Sequence, residues 1–135
     1  MSDSSLMLGK RGLVLGVAND HSIAWGIASA VAEHGAELAF TYQGEGFAKR
    51  VKPLAESVGS NIVLPCDVSD DASIDAVFST IEKEWGSLDF VIHSVAYSDK
   101  DELSGRYVDT SRDNFKLTLD ISCFSFTTIA QHAAA

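Results

Sequence analysis

The chain has 135 residues, 46% hydrophobic and 21% charged, a composition sized for one globular domain or part of one. No apolar run approaches the roughly 20 residues of a membrane span, and the opening MSDSSLMLGKRG lacks the apolar core of a signal peptide, so a cytoplasmic location is expected. A net charge of −9 argues against non-specific binding to nucleic acid or to an anionic membrane.

In chain order, Arg11–Gly16 reads as the first strand, and a short polar loop leads into a helix over Ser22–His34. Ile23, Ile27 and Val31 form that helix's apolar stripe at fourfold spacing, and Gly35 ends it. Glu37–Tyr42 is the second strand. Phe47, Val51, Leu54 and Val58 suggest a second helix, which Pro53 must kink or delay. Asn61–Cys66 is the third strand. A clean stripe of Ile74, Val77, Phe78, Ile81 and Trp85 marks a third helix, with Asp70 and Asp71 at its start and Gly86 at its end. Leu88–His93 is the fourth strand, Ser98–Asp109 a polar loop, and from Ser111 a helical pattern (Phe115, Leu119, Cys123, Phe126, Ala130) runs to the last residue.

Short apolar strands separated by helices imply parallel pairing with right-handed crossovers, hence a doubly wound α/β sheet of Rossmann-like type. Ligands of such sheets bind beyond the carboxyl ends of the strands, where Gly16, Gln43, Asp67 and Ser94 fall. The sheet is expected to continue beside strand four, whose edge would otherwise lie bare. On this reading residues 1–135 are the N-terminal cofactor-binding part of a single domain that continues past the chain end.

A strand that turns through glycine into a helix N-terminus is built to hold a pyrophosphate. Here the spacing Gly16, Ala18, Ser22, Gly26 only half meets the G-x-G-x-x-G fingerprint. Gly16 reads as a phosphate-side glycine or a plain tight turn, and Ser22 as an N-cap that satisfies a free helix N–H. Ala18 and Gly26 read as close helix–strand packing. Gln43 stands where dinucleotide enzymes place a ribose-binding acid; its neutral amide leaves NADH against NADPH open, with Lys49 and Arg50 nearby. Asp67 offers a carboxylate to an adenine amino group and Val68 the next backbone N–H, although Asp67 also suits a turn. His21, His34, His93 and His132 show no metal-ligand spacing, and Cys66 and Cys123 read as reduced core thiols.

Taken together, GVANDHSIAWGIA, TYQGE, CDV, HSVAYSDKDEL and DISCFSF resemble a bacterial NADH-dependent enoyl-[acyl-carrier-protein] reductase of the divergent short-chain dehydrogenase/reductase group. The resemblance covers Leu8 to the end. It implies reduction of the trans-2 double bond of an enoyl thioester on acyl carrier protein, the last step of type II fatty-acid elongation, in a homotetramer, with NADH ahead of NADPH. It also implies that Ser22 and Ile23 lie against the cofactor phosphates, that Gln43 accompanies NADH, and that Asp67 and Val68 hold the adenine. Ser94, Val95 and Ala96 replace the Asn-Asn-Ala-Gly of ordinary short-chain dehydrogenases and let ribose and nicotinamide lie on the backbone. Ser98 matches a residue of the acyl pocket. Ile121 matches one beside the nicotinamide, or is a core isoleucine.

The family's catalytic Tyr-x6-Lys lies downstream of strand four and its following helix. Neither Tyr97 nor Tyr107 has a lysine seven positions on, so no catalytic residue is named, and residues 1–135 alone are expected to be inactive. Two alternatives stay open: a short-chain dehydrogenase/reductase acting on another substrate, and a non-catalytic nucleotide-binding fragment.

Overall fold

The structure, a computed structural model, describes residues 5–135. The start of the segment read as lacking a signal-peptide core lies outside them. The chain divides into two compact units, up to Ser94 and from Val95 onward.

In the first unit strands and helices alternate: β1 (Arg11–Leu15), α1 (Ile23–Glu33), β2 (Glu37–Tyr42), α2 (Glu45–Ser57), β3 (Ile62–Pro65), α3 (Asp71–Trp85) and β4 (Phe90–His93). All pairings are parallel and the strand order is β3-β2-β1-β4. The sheet therefore grows outward from β1 through β2 to β3, and the chain then crosses back to lay β4 on the other side of β1. That reversal is the topological switch point of a doubly wound sheet. The Rossmann-like expectation holds.

Leu13, Val14, Leu15 and Phe40 are fully buried because β1 and β2 are covered on both faces. From α2 and α3, Val51, Ile74 and Val77 complete that burial. At the opposite end of the sheet Arg11 ties β1 to the chain before β4. Its N–H donates to Asp89 at 2.8 Å, and its guanidinium donates to the Trp85 carbonyl at 3.0 Å.

The helices depart from the sequence reading in two places. Ile23 and Ile27 of α1 are exposed, at 76% and 42%, while Ala24 and Ala28 are buried. Close approach of α1 to the sheet selects the small face, and the larger isoleucines turn outward. Its end follows expectation: Gly35, at φ +99°, donates to the Ala32 carbonyl and Ala36 N–H to that of Val31, a Schellman closure. The second departure is α2, which starts at Glu45 and runs through Pro53 without delay. The carbonyl that loses its partner belongs to Lys49, which is exposed, so water can serve it. As read, α3 is capped by Asp70, whose carboxylate accepts from Ala72 N–H, and ends at Gly86.

The second unit holds two short 3-10 turns (Lys100–Glu102 and Tyr107–Asp109), then α4 (Arg112–Leu119), a π-wound segment (Asp120–Phe124) and α5 (Ser125–Ala134). The expected stripe of Phe115, Leu119, Cys123, Phe126 and Ala130 is exposed throughout. Asn114, Ser125, Thr128 and Ile129 are buried instead. The buried face is largely polar and internally hydrogen-bonded, so hydrophobic periodicity points to the wrong side. Cys123 is likewise exposed and not a core thiol, whereas Cys66 is buried. Among the described residues no helix is long and apolar enough to cross a membrane.

Candidate functional site at the carboxyl ends of the strands

Parallel pairing brings Gly16, Gln43, Asp67 with Val68, and Ser94 to one edge of the sheet, since each follows the last residues of its strand. At the switch point between β1 and β4 the two chains run very close. Leu15 pairs with His93, and Ser94 N–H donates to the Leu15 carbonyl at 3.0 Å. Gly16 has φ +111°, and a Cβ on it would sit 1.9 Å from the Ser94 carbonyl oxygen. Only glycine meets both conditions. The tight-turn and ligand-side readings of Gly16 are thus one geometry: a backbone with no side chain at the mouth of the crevice.

Ser22 occupies the N-cap position of α1 but does not cap it. Its hydroxyl oxygen turns back and accepts from Ala18 N–H at 2.9 Å and Asn19 N–H at 3.1 Å. The expected bond to a helix N–H is therefore absent. The reason is that the loop after Gly16 has its own unpaired amides to satisfy. With both acceptor directions used, the hydroxyl keeps its proton for a further acceptor. Ile23 and Ala24 begin the helix, where N–H groups have no intrahelical acceptor. One hydroxyl donor, two amides and the positive end of a helix dipole thus stand beside a side-chain-free glycine. These are the groups that an anion cradle requires. Gly26, by contrast, is exposed and a Cβ there would meet nothing within 4 Å, so it does not serve close packing.

Gln43 is exposed at the end of β2, followed by Gly44 at φ +79°. Asp67 forms a turn: its Oδ1 accepts from Ser69 N–H at 2.9 Å and Ser69 hydroxyl at 2.6 Å. Its own N–H donates to Ser73 Oγ at 2.8 Å, which leaves Val68 as the next amide along. His93, half-buried at the end of β4, is held below the ordinary histidine range by burial.

The tyrosine–lysine spacing does occur upstream, at Tyr42 and Lys49. Tyr42 is buried at the end of β2, Lys49 is exposed on α2, and it is Lys52 whose ammonium lies over the Tyr42 ring, at 6.0 Å. This is packing on the second helix. Among the described residues no group of three or more His, Cys, Asp or Glu gathers in a way that would hold a metal.

In the second unit Val95 and Ile121 are half-buried, and the Ile121 carbonyl accepts from Ser125 Oγ at 2.6 Å. Ser98 is enclosed by α4. Its Oγ accepts from Asn114 Nδ2 at 3.1 Å and from Thr118 Oγ1 at 3.1 Å. Asn114 and Thr118 escaped the sequence reading, as did Ser122, whose hydroxyl bonds the Tyr97 backbone. Their i, i+4, i+8 spacing was the available signal.

The sequence model of the family described as Enoyl-(Acyl carrier protein) reductase matches residues 16–135. The chain belongs to that family. A curated relative, enoyl-[acyl-carrier-protein] reductase [NADH] 2 of Rhizobium meliloti, is 63% identical over 131 residues, which are 97% of this chain and 49% of the relative. The crystal structure of FabI from Candidatus Liberibacter asiaticus superposes with a TM-score of 0.95 at 56% identity, over 97% of this chain and 51% of that one. The reductase of Anaplasma phagocytophilum, solved in complex with NAD, gives 0.93 at 59% identity over 98% and 51%. The chain thus spans about half the length of the relatives it matches.

Proposed function

We propose that the chain is the cofactor-binding part of an NADH-dependent enoyl-[acyl-carrier-protein] reductase, and that residues 1–135 form the N-terminal part of a single Rossmann-like domain. The observation that carries the reading is the cradle at the β1–β4 switch point. Gly16 is kept bare by Ser94, and the Ser22 hydroxyl accepts from two loop amides, which leaves its proton available to a bound anion. The donor set fits a pyrophosphate, which needs several N–H and O–H donors and no carboxylate.

In this reading Gly16, Ser22 and Ile23 hold the cofactor phosphates. Gln43 holds the adenosine ribose, its neutral amide suiting NADH, and Asp67 and Val68 hold the adenine. Ser94, Val95 and Ile121 line the ribose–nicotinamide end, and Ser98 lines the acyl pocket. When bound, the dihydronicotinamide supplies hydride for C3 of the enoyl thioester. The contribution of this chain is binding and orientation; the acid that stabilises the enolate is not assigned within it. The substrate is an enoyl thioester on acyl carrier protein, the assembly a homotetramer and the location the cytoplasm. The name of the Rhizobium relative supports NADH, and so does the bound NAD in the Anaplasma structure.

The test is oxidation of NADH by the full-length enzyme with a crotonyl thioester, followed by loss of the reduced-nicotinamide absorbance. Turnover with NADH is expected. No turnover with either NADH or NADPH would reject the assignment, and residues 1–135 alone are expected to give none.

A further inference from the structure

We propose that Asn114, Thr118 and Ser122 are positioning residues that fix the backbone path of Tyr97–Asp99 and so set how the reductase holds its enoyl thioester. The inference rests on the reading of Ser98 as part of the acyl pocket.

The backbone N–H groups of Tyr97 and Asp99 and the Ser98 hydroxyl all bond one face of the helix that follows, while the Asp99 carbonyl and carboxylate accept from Glu102 and Asp101 N–H in the next turn. Asp99 N–H donates to Asn114 Oδ1 at 2.8 Å. Ser98 Oγ accepts from Asn114 Nδ2 and from Thr118 Oγ1, both at 3.1 Å. Tyr97 N–H donates to Ser122 Oγ at 2.9 Å, and that hydroxyl donates back to the Tyr97 carbonyl at 3.2 Å. As the helix advances from 114 to 122 in steps of four, the segment is read backward from 99 to 97. An isolated extended segment has no ladder to satisfy its amides. Here side chains replace the ladder at both Tyr97 and Asp99.

The π-wound segment Asp120–Phe124 makes the third grip possible. In unbroken α-helix a residue eight positions on lies about 80° around the axis from Asn114. The wider π winding takes back part of that rotation and keeps Ser122 facing Tyr97. A π turn gives up regular i→i+4 bonding and persists where the displaced residue has work to do. Below it, Asn114 is itself held. Ser111 Oγ accepts from Asn114 N–H at 3.1 Å, and Glu102 grips Ser111 by accepting from its N–H and its hydroxyl.

The consequence is specific. The Ser98 hydroxyl accepts from Asn114 and Thr118 and also donates to Asn114 Oδ1 at 3.5 Å, so an acyl chain meets the shape of this backbone and not that hydroxyl. Loosening the grips should blur the pocket for the thioester and leave the phosphate cradle untouched.

The experiment uses the full-length enzyme and its Ser122→Ala, Ser122→Thr and Asn114→Asp variants. Crotonyl-thioester KM, NADH Kd by fluorescence and hydrogen exchange at the Tyr97 and Asp99 amides are measured on each. Ser122→Ala should raise the thioester KM about tenfold, leave NADH Kd within twofold and speed exchange at Tyr97 alone; Ser122→Thr should restore all three. Asn114→Asp keeps the acceptor for Asp99 and loses the donor to Ser98, so KM should rise while Asp99 stays protected. An unchanged KM in Ser122→Ala with Tyr97 exchange speeded would overturn the positioning role, as would equal losses in KM and NADH Kd. Wild-type enzyme inert toward the thioester would instead defeat the functional reading. The exchange pattern would still report on the grips.

Discussion

The Ser94 carbonyl oxygen occupies the place where a side chain on Gly16 would begin, 1.9 Å from an ideal Cβ. Strand β4 is thereby as responsible for the bare crevice as the glycine itself. Gly16→Ala should lower stability by roughly 3 kcal/mol through positive-φ strain and overpacking. Urea unfolding measures this directly. A loss under 1 kcal/mol would mean that β1 and β4 separate easily at this end.

Two helix starts in the same unit carry a polar residue at the cap, and they should respond differently. Asp70 caps α3 through Ala72 N–H, so Asp70→Ala should cost about 1 kcal/mol of stability and leave NADH affinity alone. Ser22 bonds the loop and, on the proposed reading, gives its proton to a cofactor phosphate, so Ser22→Ala should also weaken NADH about tenfold, the scale of a lost bond to a charged group. Isothermal titration of the two full-length variants decides it. Equal affinities would remove Ser22 from the phosphate site.

Gln43→Asp should separate the two dinucleotides. A carboxylate accepts from a ribose hydroxyl but repels a 2′-phosphate, so NADPH affinity should fall more than tenfold while NADH stays near the wild-type value. If NADPH binds as before, Gln43 does not face the ribose.

The two thiols should behave oppositely. Burial pushes the Cys66 thiol up to about 11 from an ordinary value of 9.0, while a bond to Ser73 pulls the other way. At pH 8 iodoacetamide should label exposed Cys123 and spare Cys66. The folded state binds the Cys66 proton more tightly than the unfolded one does. Its contribution to stability is therefore intact below pH 9 and is lost as pH rises toward 11. Denaturation midpoints across that window should fall, and a Cys66→Ala variant should lack that part of the slope.

The strands were legible because each is a short apolar run bounded by glycine or polar residues, and parallel pairing then placed Gly16, Gln43, Asp67 and Ser94 at one edge without further information. What escaped the sequence was the choice of face. On α1 the alanines pack because the helix lies close to the sheet, a distance that no spacing of Ile23 and Ile27 encodes. On α4 the buried position is Asn114, whose burial is compatible with its polarity only because Asp99 and Ser98 are there to bond it. The direction of the Ser22 hydroxyl depends on two loop amides, Ala18 and Asn19, that become neighbours only once the turn has formed. The Tyr42–Lys49 spacing shows the converse: a motif can be present in the sequence and have no active-site geometry behind it.

The strand order has a consequence for how the protein is made. β1 lies in the middle of the sheet, but one of its partners is distant in the chain: Arg11 waits for Asp89, 78 positions on. At translation rates of about 5–20 residues per second, that wait is roughly 4 to 16 s. For most of it, once β2 has been made, β1 has β2 on one side and an open edge on the other, a template for mispairing in a crowded cell. The open edge is the one that β4 will close beside Gly16, so the crevice is the last part of this unit to be assembled, although its glycine leaves the ribosome well ahead of β4.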